Sequence, residues 1–152
     1  MIAVIQRVSS ASVEIDGKRI GSCGPGMLIL LGVHVTDTEE QVIWVANKCA
    51  NLRIFNDKDG QMNLSCIATG GEALVISQFT LYGNTRKGNR PSYIHSAPGP
   101  IAEPLYELFI SELSHRLNRS VESGQFGAMM DVSLVNDGPV TLVVERLAQP
   151  LL

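Results

Sequence analysis

Only two stretches of this chain repeat their apolar residues with a helical period, and eight or so strand-like runs lie around them without alternating. A doubly wound α/β sheet needs strand and helix in turn, so that order excludes it. The pattern points instead to an α+β fold, with helices packed against largely antiparallel sheet. At 152 residues the chain has the size of one domain. One unit over 1–152 is expected, with a loose tail from about residue 146.

Ile2 to Val8 alternates loosely. Asp16-Gly17, set between apolar-bearing runs at 11–15 and 18–23, is a strong hairpin signal. After the turn Gly24-Pro25-Gly26, the run Met27-Leu28-Ile29-Leu30-Leu31-Gly32-Val33 has the length of a central strand. Thr36-Asp37-Thr38-Glu39 carries capping-box spacing, and Val42, Val45, Ala46, Cys49 and Leu52 follow with helical period, predicting a helix over 37–51. A short strand is expected at 53–55 with a turn at 56–60, and a longer strand at 73–81. Residues 82–100 form the longest loop. A second helix is expected over 101–117, with Leu105, Leu108, Phe109 and Leu113 on its stripe. The last strands are expected at 121–126, 130–135 and 140–145, the final two joined by a turn at Asn136-Asp137-Gly138-Pro139.

Apolar residues make up 45% and charged residues 18%, the latter below the roughly 25% of ordinary domains. So little charge implies that a second subunit covers part of the surface. The apolar content and the net charge of −3 exclude disorder. No run approaches the ~18 apolar residues of a membrane span, and the amino terminus reads as a strand rather than a secretion signal. Cys23, Cys49 and Cys66 fit no paired spacing and read as free thiols of a reducing, cytoplasmic compartment. A pI near 5.6 gives no general pull toward nucleic acid, so an RNA partner must be gripped locally or by its end.

Familiar site motifs fail on inspection. Gly24-Pro25-Gly26 lacks the third glycine of a dinucleotide loop, since Ile29 stands there, and a strand follows it. Asp57-Lys58-Asp59-Gly60 resembles part of a calcium loop, but Phe55 and Cys66 occupy the first and twelfth ligand positions. Neither a G-x-S-x-G elbow nor an H-E-x-x-H helix occurs. His34, His95 and His115 have no ligand spacing and read more naturally as surface residues. No nucleophile–base pair stands out, and neither a metal nor a cofactor is expected. The run Ala73 to Leu81 is less ordinary. Read with period two, it places Leu74, Ile76, Gln78 and Thr80 on one face and Val75, Ser77, Phe79 and Leu81 on the other. Both faces turn polar at the strand's end, where buried amide and hydroxyl groups need partners.

Long motifs in fixed order carry a resemblance. They are Ile5-Gln6-Arg7-Val8 with Ala11-Ser12-Val13, then Arg53-Ile54-Phe55 with Met62-Asn63-Leu64. Ser77-Gln78-Phe79-Thr80-Leu81 and Arg90-Pro91-Ser92 follow, and Val132-Ser133-Leu134-Val135-Asn136-Asp137-Gly138-Pro139-Val140-Thr141 is the last. From residue 1 to about Glu145 the chain resembles the D-aminoacyl-tRNA deacylases. Tyr93 stands where that family often has phenylalanine, the segment 95–104 is proline-rich, and the tail extends past the usual end.

The resemblance implies an α+β fold of largely antiparallel or mixed β-sheets, barrel-like, with two main helices outside, as a homodimer. It implies hydrolysis of the ester of D-aminoacyl-tRNA, and of mischarged glycyl-tRNA too, with no DNA or membrane partner. Catalytic Ser77, Gln78, Phe79 and Thr80 would line the pocket for the aminoacyl group, and Phe126 and Met130 would lie near the terminal adenosine. Gly138-Pro139 would be cis and reach into the partner's site, with Arg7 holding it. Arg86, Lys87 and Arg90 would meet phosphates locally. The rival readings are a non-catalytic module that binds the tRNA 3′ end and an esterase acting on small molecules.

Overall fold

The computed structural model describes residues 1–148; the remainder of the expected loose tail, 149–152, lies outside the described residues. Strand β1 (Ile2–Ile15) turns through Asp16 and Gly17 into β2 (Lys18–Cys23), and β3 (Gly26–Gly32) follows. Asp16 and Gly17 both have positive φ, 49° and 76°, as a two-residue hairpin of this hand requires. Helix α1 (Glu39–Asn51) precedes β4 (Phe55–Asn56), β5 (Met62–Leu64) and the short α2 (Cys66–Thr69). The chain continues through β6 (Glu72–Ser77), a 3-10 turn (Phe79–Tyr82), α3 (Gly99–Leu117), β7 (Glu122–Ser123) and β8 (Asp131–Glu145).

The main sheet is mixed, as expected, with strand order β2-β1-β3-β6-β7 and β8 paired to β1. Pairings among β1, β2, β3 and β8 are antiparallel, while β3–β6 and β6–β7 are parallel. The sheet curls until β2 meets β7: a Cβ on Gly21 would lie 2.7 Å from Ser123 O. The result is a nearly closed barrel. Buried residues fall into two sets. Met27, Ile29, Leu31, Ala73 and Val75 face α1 and α3, while Leu28, Leu74 and Ile76 fill the curl with Val8, Ala11 and Val13. Strands β3 and β6 are thus covered on both faces, which is why β3 reads as an unbroken apolar run.

Several boundaries differ from the sequence reading. The cap of α1 is Thr38, whose N–H donates to Gln41 Oε1 at 2.8 Å, because Asp37 is taken up by the Met1 α-ammonium at 2.7 Å. Strand β4 begins at Phe55 rather than residue 53, and the third helix, α2, was not expected. It is capped by Ser65 Oγ, which accepts Ala68 N–H, and ended by left-handed Gly70. Helix α3 starts two residues early, with Pro98 as its cap and Pro100 in its first turn, where a missing N–H costs nothing. Strand β6 stops at Ser77 instead of 81, since β3 ends at Gly32 and offers no partner further on. The expected strand 121–126 keeps only Glu122–Ser123. The strands expected at 130–135 and 140–145 are one strand, β8, because both parts pair with β1. Between Gln6 and Val8, two steps on β1 face five on β8, from Asn136 to Thr141, so the expected turn is a bulge.

Candidate active site

A cavity of about 610 Å³ opens beyond the carboxyl ends of the parallel strands β3 and β6, the place where ligands enter such sheets. Leu31, Val33, Ile76 and Ser77 form its floor, and Gln78, Phe79 and Thr80 form one side. Tyr93, Ser96 and Ala97 of the long loop, Ala102 and Tyr106 of α3, and residues 126–130 complete it. Tyr106 is held by donating its hydroxyl to Val75 O at 2.9 Å, and its ring leans on Phe126 at 5.7 Å between centroids. Met130 packs under Gly124, where a Cβ would fall 2.5 Å from its sulfur.

Residues 77–80 sit where a strand becomes a helical turn. Gln78 N–H donates to Leu31 O at 2.8 Å, the last rung between the two strands. The chain then closes a 3-10 turn through Leu81 N–H to Gln78 O at 3.3 Å and Gly83 N–H to Thr80 O at 2.9 Å. Phe79 and Thr80 open that turn, where N–H groups have no acceptor within the helix. Gln78 and Thr80 therefore do not share a strand face. They meet across the turn, with Gln78 Nε2 donating to Thr80 Oγ1. That bond occupies an acceptor position on the threonine oxygen and leaves its own proton to point elsewhere. The Phe79 ring is 59% exposed and meets Tyr93 edge-on at 5.2 Å, so the rim of the cavity is aromatic.

Arg7, Gly138 and Pro139 stand apart from these walls. The Gly138-Pro139 peptide is cis and forms the exposed tip of the β8 bulge. Arg7, only 6% exposed, lies beneath it: Nε donates to Asp137 O at 3.0 Å and faces Asp137 Oδ2 at 3.3 Å. At the base of the bulge, Asn136 Nδ2 donates to Gln6 Oε1 and, at 3.0 Å, to Thr141 Oγ1, while Val140 N–H donates to Asn136 Oδ1 at 2.8 Å. Ser77, Gln78, Phe79, Thr80, Phe126 and Met130 are thus brought together within one chain, and the tip is not brought to them.

None of the three histidines walls the cavity. His34 stacks on His95 at 5.6 Å and meets Tyr82 edge-on at 5.1 Å. Its Nδ1 accepts from Thr36 N–H at 3.2 Å, and burial lowers its pKa against the opposing pull of Asp37. These contacts tie the long loop to the end of β3, as do Val35 N–H to His95 O at 3.0 Å and Ala97 N–H to Val33 O at 2.9 Å. The cavity's wall residues Ala102, Tyr106 and Met129 were missed in the sequence: Tyr106 lies on the core stripe of α3, and Met129, 92% exposed, carries no pattern. Among the described residues no cluster of three or more His, Cys, Asp or Glu side chains is placed to hold a metal ion, and no helix is long and apolar enough to cross a membrane.

Residues 4–145 match the family described as D-Tyr-tRNA(Tyr) deacylase. A D-aminoacyl-tRNA deacylase of Salinibacter ruber is 57% identical, over 97% of this chain and 99% of its own length. One from Akkermansia muciniphila is 58% identical, over 95% and 97%. The solved structure of a c-Myc DNA Unwinding Element Binding Protein superposes with a TM-score of 0.91 at 38% identity, covering 97% of this chain and all of that one.

Proposed function

The chain belongs to the D-Tyr-tRNA(Tyr) deacylase family, and from that membership we propose that it hydrolyses the ester joining a D-amino acid to the 3′ end of tRNA. The observation that carries this reading is the cavity, in which residues 77–80 present a hydroxyl and turn-opening N–H groups without a nucleophile–base pair. An aminoacyl ester is already an activated acyl group. Its hydrolysis calls for stabilisation of the tetrahedral oxyanion, and one well-placed donor is worth about 10²–10³ in rate. The N–H groups of Phe79 and Thr80 supply that stabilisation, and Thr80, oriented by Gln78, positions the attacking water with help from the substrate's own 2′-hydroxyl. The terminal adenosine lies between Phe126 and Met130.

Selection of hand comes from a second copy of the chain. Its Gly138-Pro139 tip enters the cavity and sets main-chain carbonyls where an L side chain would point, leaving the D direction open. Glycine, having no side chain, passes the same filter, so glycyl-tRNA is also cleaved. The half-exposed apolar side chains of β8, Leu134, Val135, Leu142 and Val143, form the dimer surface and account for the low charge content. Arg86, Lys87 and Arg90, all exposed, meet RNA phosphates, a local grip compatible with the acidic pI. The enzyme works in the cytoplasm, where charged tRNA is found.

The test is hydrolysis of D-Tyr-tRNA and L-Tyr-tRNA by the purified protein at equal concentration. Release of D-tyrosine with survival of the L ester is expected. Tight binding of the tRNA end without release would replace this reading by that of a binding module, and equal cleavage of both would remove the stereochemical filter.

A further inference from the structure

We infer that Asn56, on the small β4–β5 hairpin, is a positioning residue that sets the Gly138-Pro139 tip through Arg7; this rests on the reading of that tip as a stereochemical filter. The hairpin stands off the main sheet as its own two-stranded sheet. It presents two acceptors to one nitrogen of the buried guanidinium: Arg7 Nη1 donates to Ile54 O at 2.7 Å and to Asn56 Oδ1 at 3.3 Å. Both protons of Nη1 are thereby taken. A guanidinium is planar and rigid, so fixing Nη1 on the hairpin fixes the direction of Nε, and Nε holds the tip by Asp137 O at 3.0 Å. Arg7 is a strut with the hairpin at one end and the tip at the other.

The hairpin is itself stapled by side chains, as a support must be. Arg53 Nε donates to Asn63 O at 2.9 Å, and Asn63 Nδ2 donates to Asp57 Oδ2 at 3.1 Å. Asp57 Oδ1 accepts Asp59 N–H at 2.9 Å and Gln61 N–H at 3.0 Å. Ile54, 4% exposed, roots the strand in the main core. Of the hairpin's two acceptors, the Ile54 carbonyl belongs to the backbone, so Asn56 is the one that substitution can remove. Asn56 is exposed, and its loss opens no cavity.

The experiment uses the full chain, Asn56→Ala and Asn56→Asp. It reads amide hydrogen exchange over 136–141, the ratio of D-Tyr-tRNA to L-Tyr-tRNA cleavage, and the melting temperature. Asn56→Ala is expected to speed exchange in that segment and to lower the D-over-L ratio, each by about tenfold, the size of one net hydrogen bond to a charged group. Its melting temperature should fall by no more than the few degrees that one such bond is worth. Asn56→Asp, which restores an acceptor, should return exchange and ratio. Unchanged exchange and ratio in Asn56→Ala, a matching fall in both rates with the ratio intact, or failure of Asn56→Asp to rescue overturns the inference. If the wild-type chain does not cleave D-Tyr-tRNA, the functional reading fails, and the exchange measurement still decides whether Asn56 holds the tip.

Discussion

Gly138→Ala separates the shape of the β8 tip from its mere presence. Gly138 has φ of +128°, a region nearly closed to L side chains, and holding alanine there costs about 1–3 kcal/mol. Its Cβ would also lie 2.7 Å from Arg7 Nη2 and 3.0 Å from Val140 Cγ2, where ordinary contact begins at 3.4 Å. Tip and guanidinium must therefore part by about 0.7 Å, since overlap at such distances is steeply repulsive. Arg7 is buried and bonded to the hairpin, whereas Gly138 and Pro139 are exposed, so the tip moves and the guanidinium stays. Global stability then falls by no more than the backbone strain. Activity falls further, because a misplacement of about 1 Å near reacting atoms costs up to about 10²-fold. The expected result is kcat/KM on D-Tyr-tRNA reduced about 10- to 100-fold, with a urea midpoint only modestly lowered. Gly17→Ala is the control: φ is +76° with nothing within 4 Å of the added carbon. It should lose about 1 kcal/mol and no activity. A Gly138→Ala protein with wild-type kcat/KM and wild-type D-over-L ratio would refute the role given to the tip.

Tyr106→Phe removes the donor to Val75 O, which keeps Gly124 N–H at 3.3 Å. A loss of about 1 kcal/mol, or about 2–4 °C in Tm, is expected by calorimetry, with the cavity wall intact and cleavage within a few-fold of wild type. Stability should climb with pH through the neutral range. Burial lowers the pKa of His34 below its ordinary 6.5 and that of the Met1 α-ammonium below its ordinary 8.0, so the unfolded chain binds more protons in those windows. His34→Gln should flatten the part of a Tm–pH curve below pH 6.5 and leave the part up to pH 8; an unchanged slope counts against it. Burial pushes the thiol of Cys49 up to about 12 and those of Cys23 and Cys66 up to about 11. An aromatic disulfide reagent at pH 8 should therefore find no thiol in the native protein and three after unfolding, as there are three cysteines; fast modification of any one in the native state contradicts this.

Local chemistry made much of the fold readable. Asp16-Gly17 demands positive φ and obtains it, the run 27–33 announces a strand covered on both faces, and the 3.6 period finds α1 and α3. Reading failed wherever a distant partner decides the outcome. Alternation continues past Ser77 as far as Leu81, yet a strand ends when its neighbour does, and Gly32 closes β3. Helix α2 has readable ends, Ser65 and Gly70, but four residues are too few to display a period.

The turn signal at Asn136-Asp137-Gly138-Pro139 is the most instructive case, because it was true and still misassigned. Such residues specify that the chain bends; they do not specify whether the flanking strands then face each other or share a third. Here both flanks run along β1, and the bend becomes a protrusion opposite Arg7. A hairpin would have satisfied the tip's backbone against its own flanks. As a bulge, the segment adds to its own Asn136 bonds a dependence on side chains from elsewhere: Gln6 for Asn136, and Arg7 for Asp137. Apart from the family resemblance, nothing in local sequence marks Arg7 as other than a charge interrupting an apolar strand, and nothing marks Asn56 at all. Their meaning comes from a guanidinium bonded at both ends, which arises only when β1, the hairpin and the bulge are stacked together. The residues most easily read as turn and breaker are thus fixed by contacts 130 residues apart in sequence. If the tip acts as the proposed filter, it must hold its atoms to within a fraction of an ångström, and support from such distance serves that better than the flexible turn its own sequence suggests.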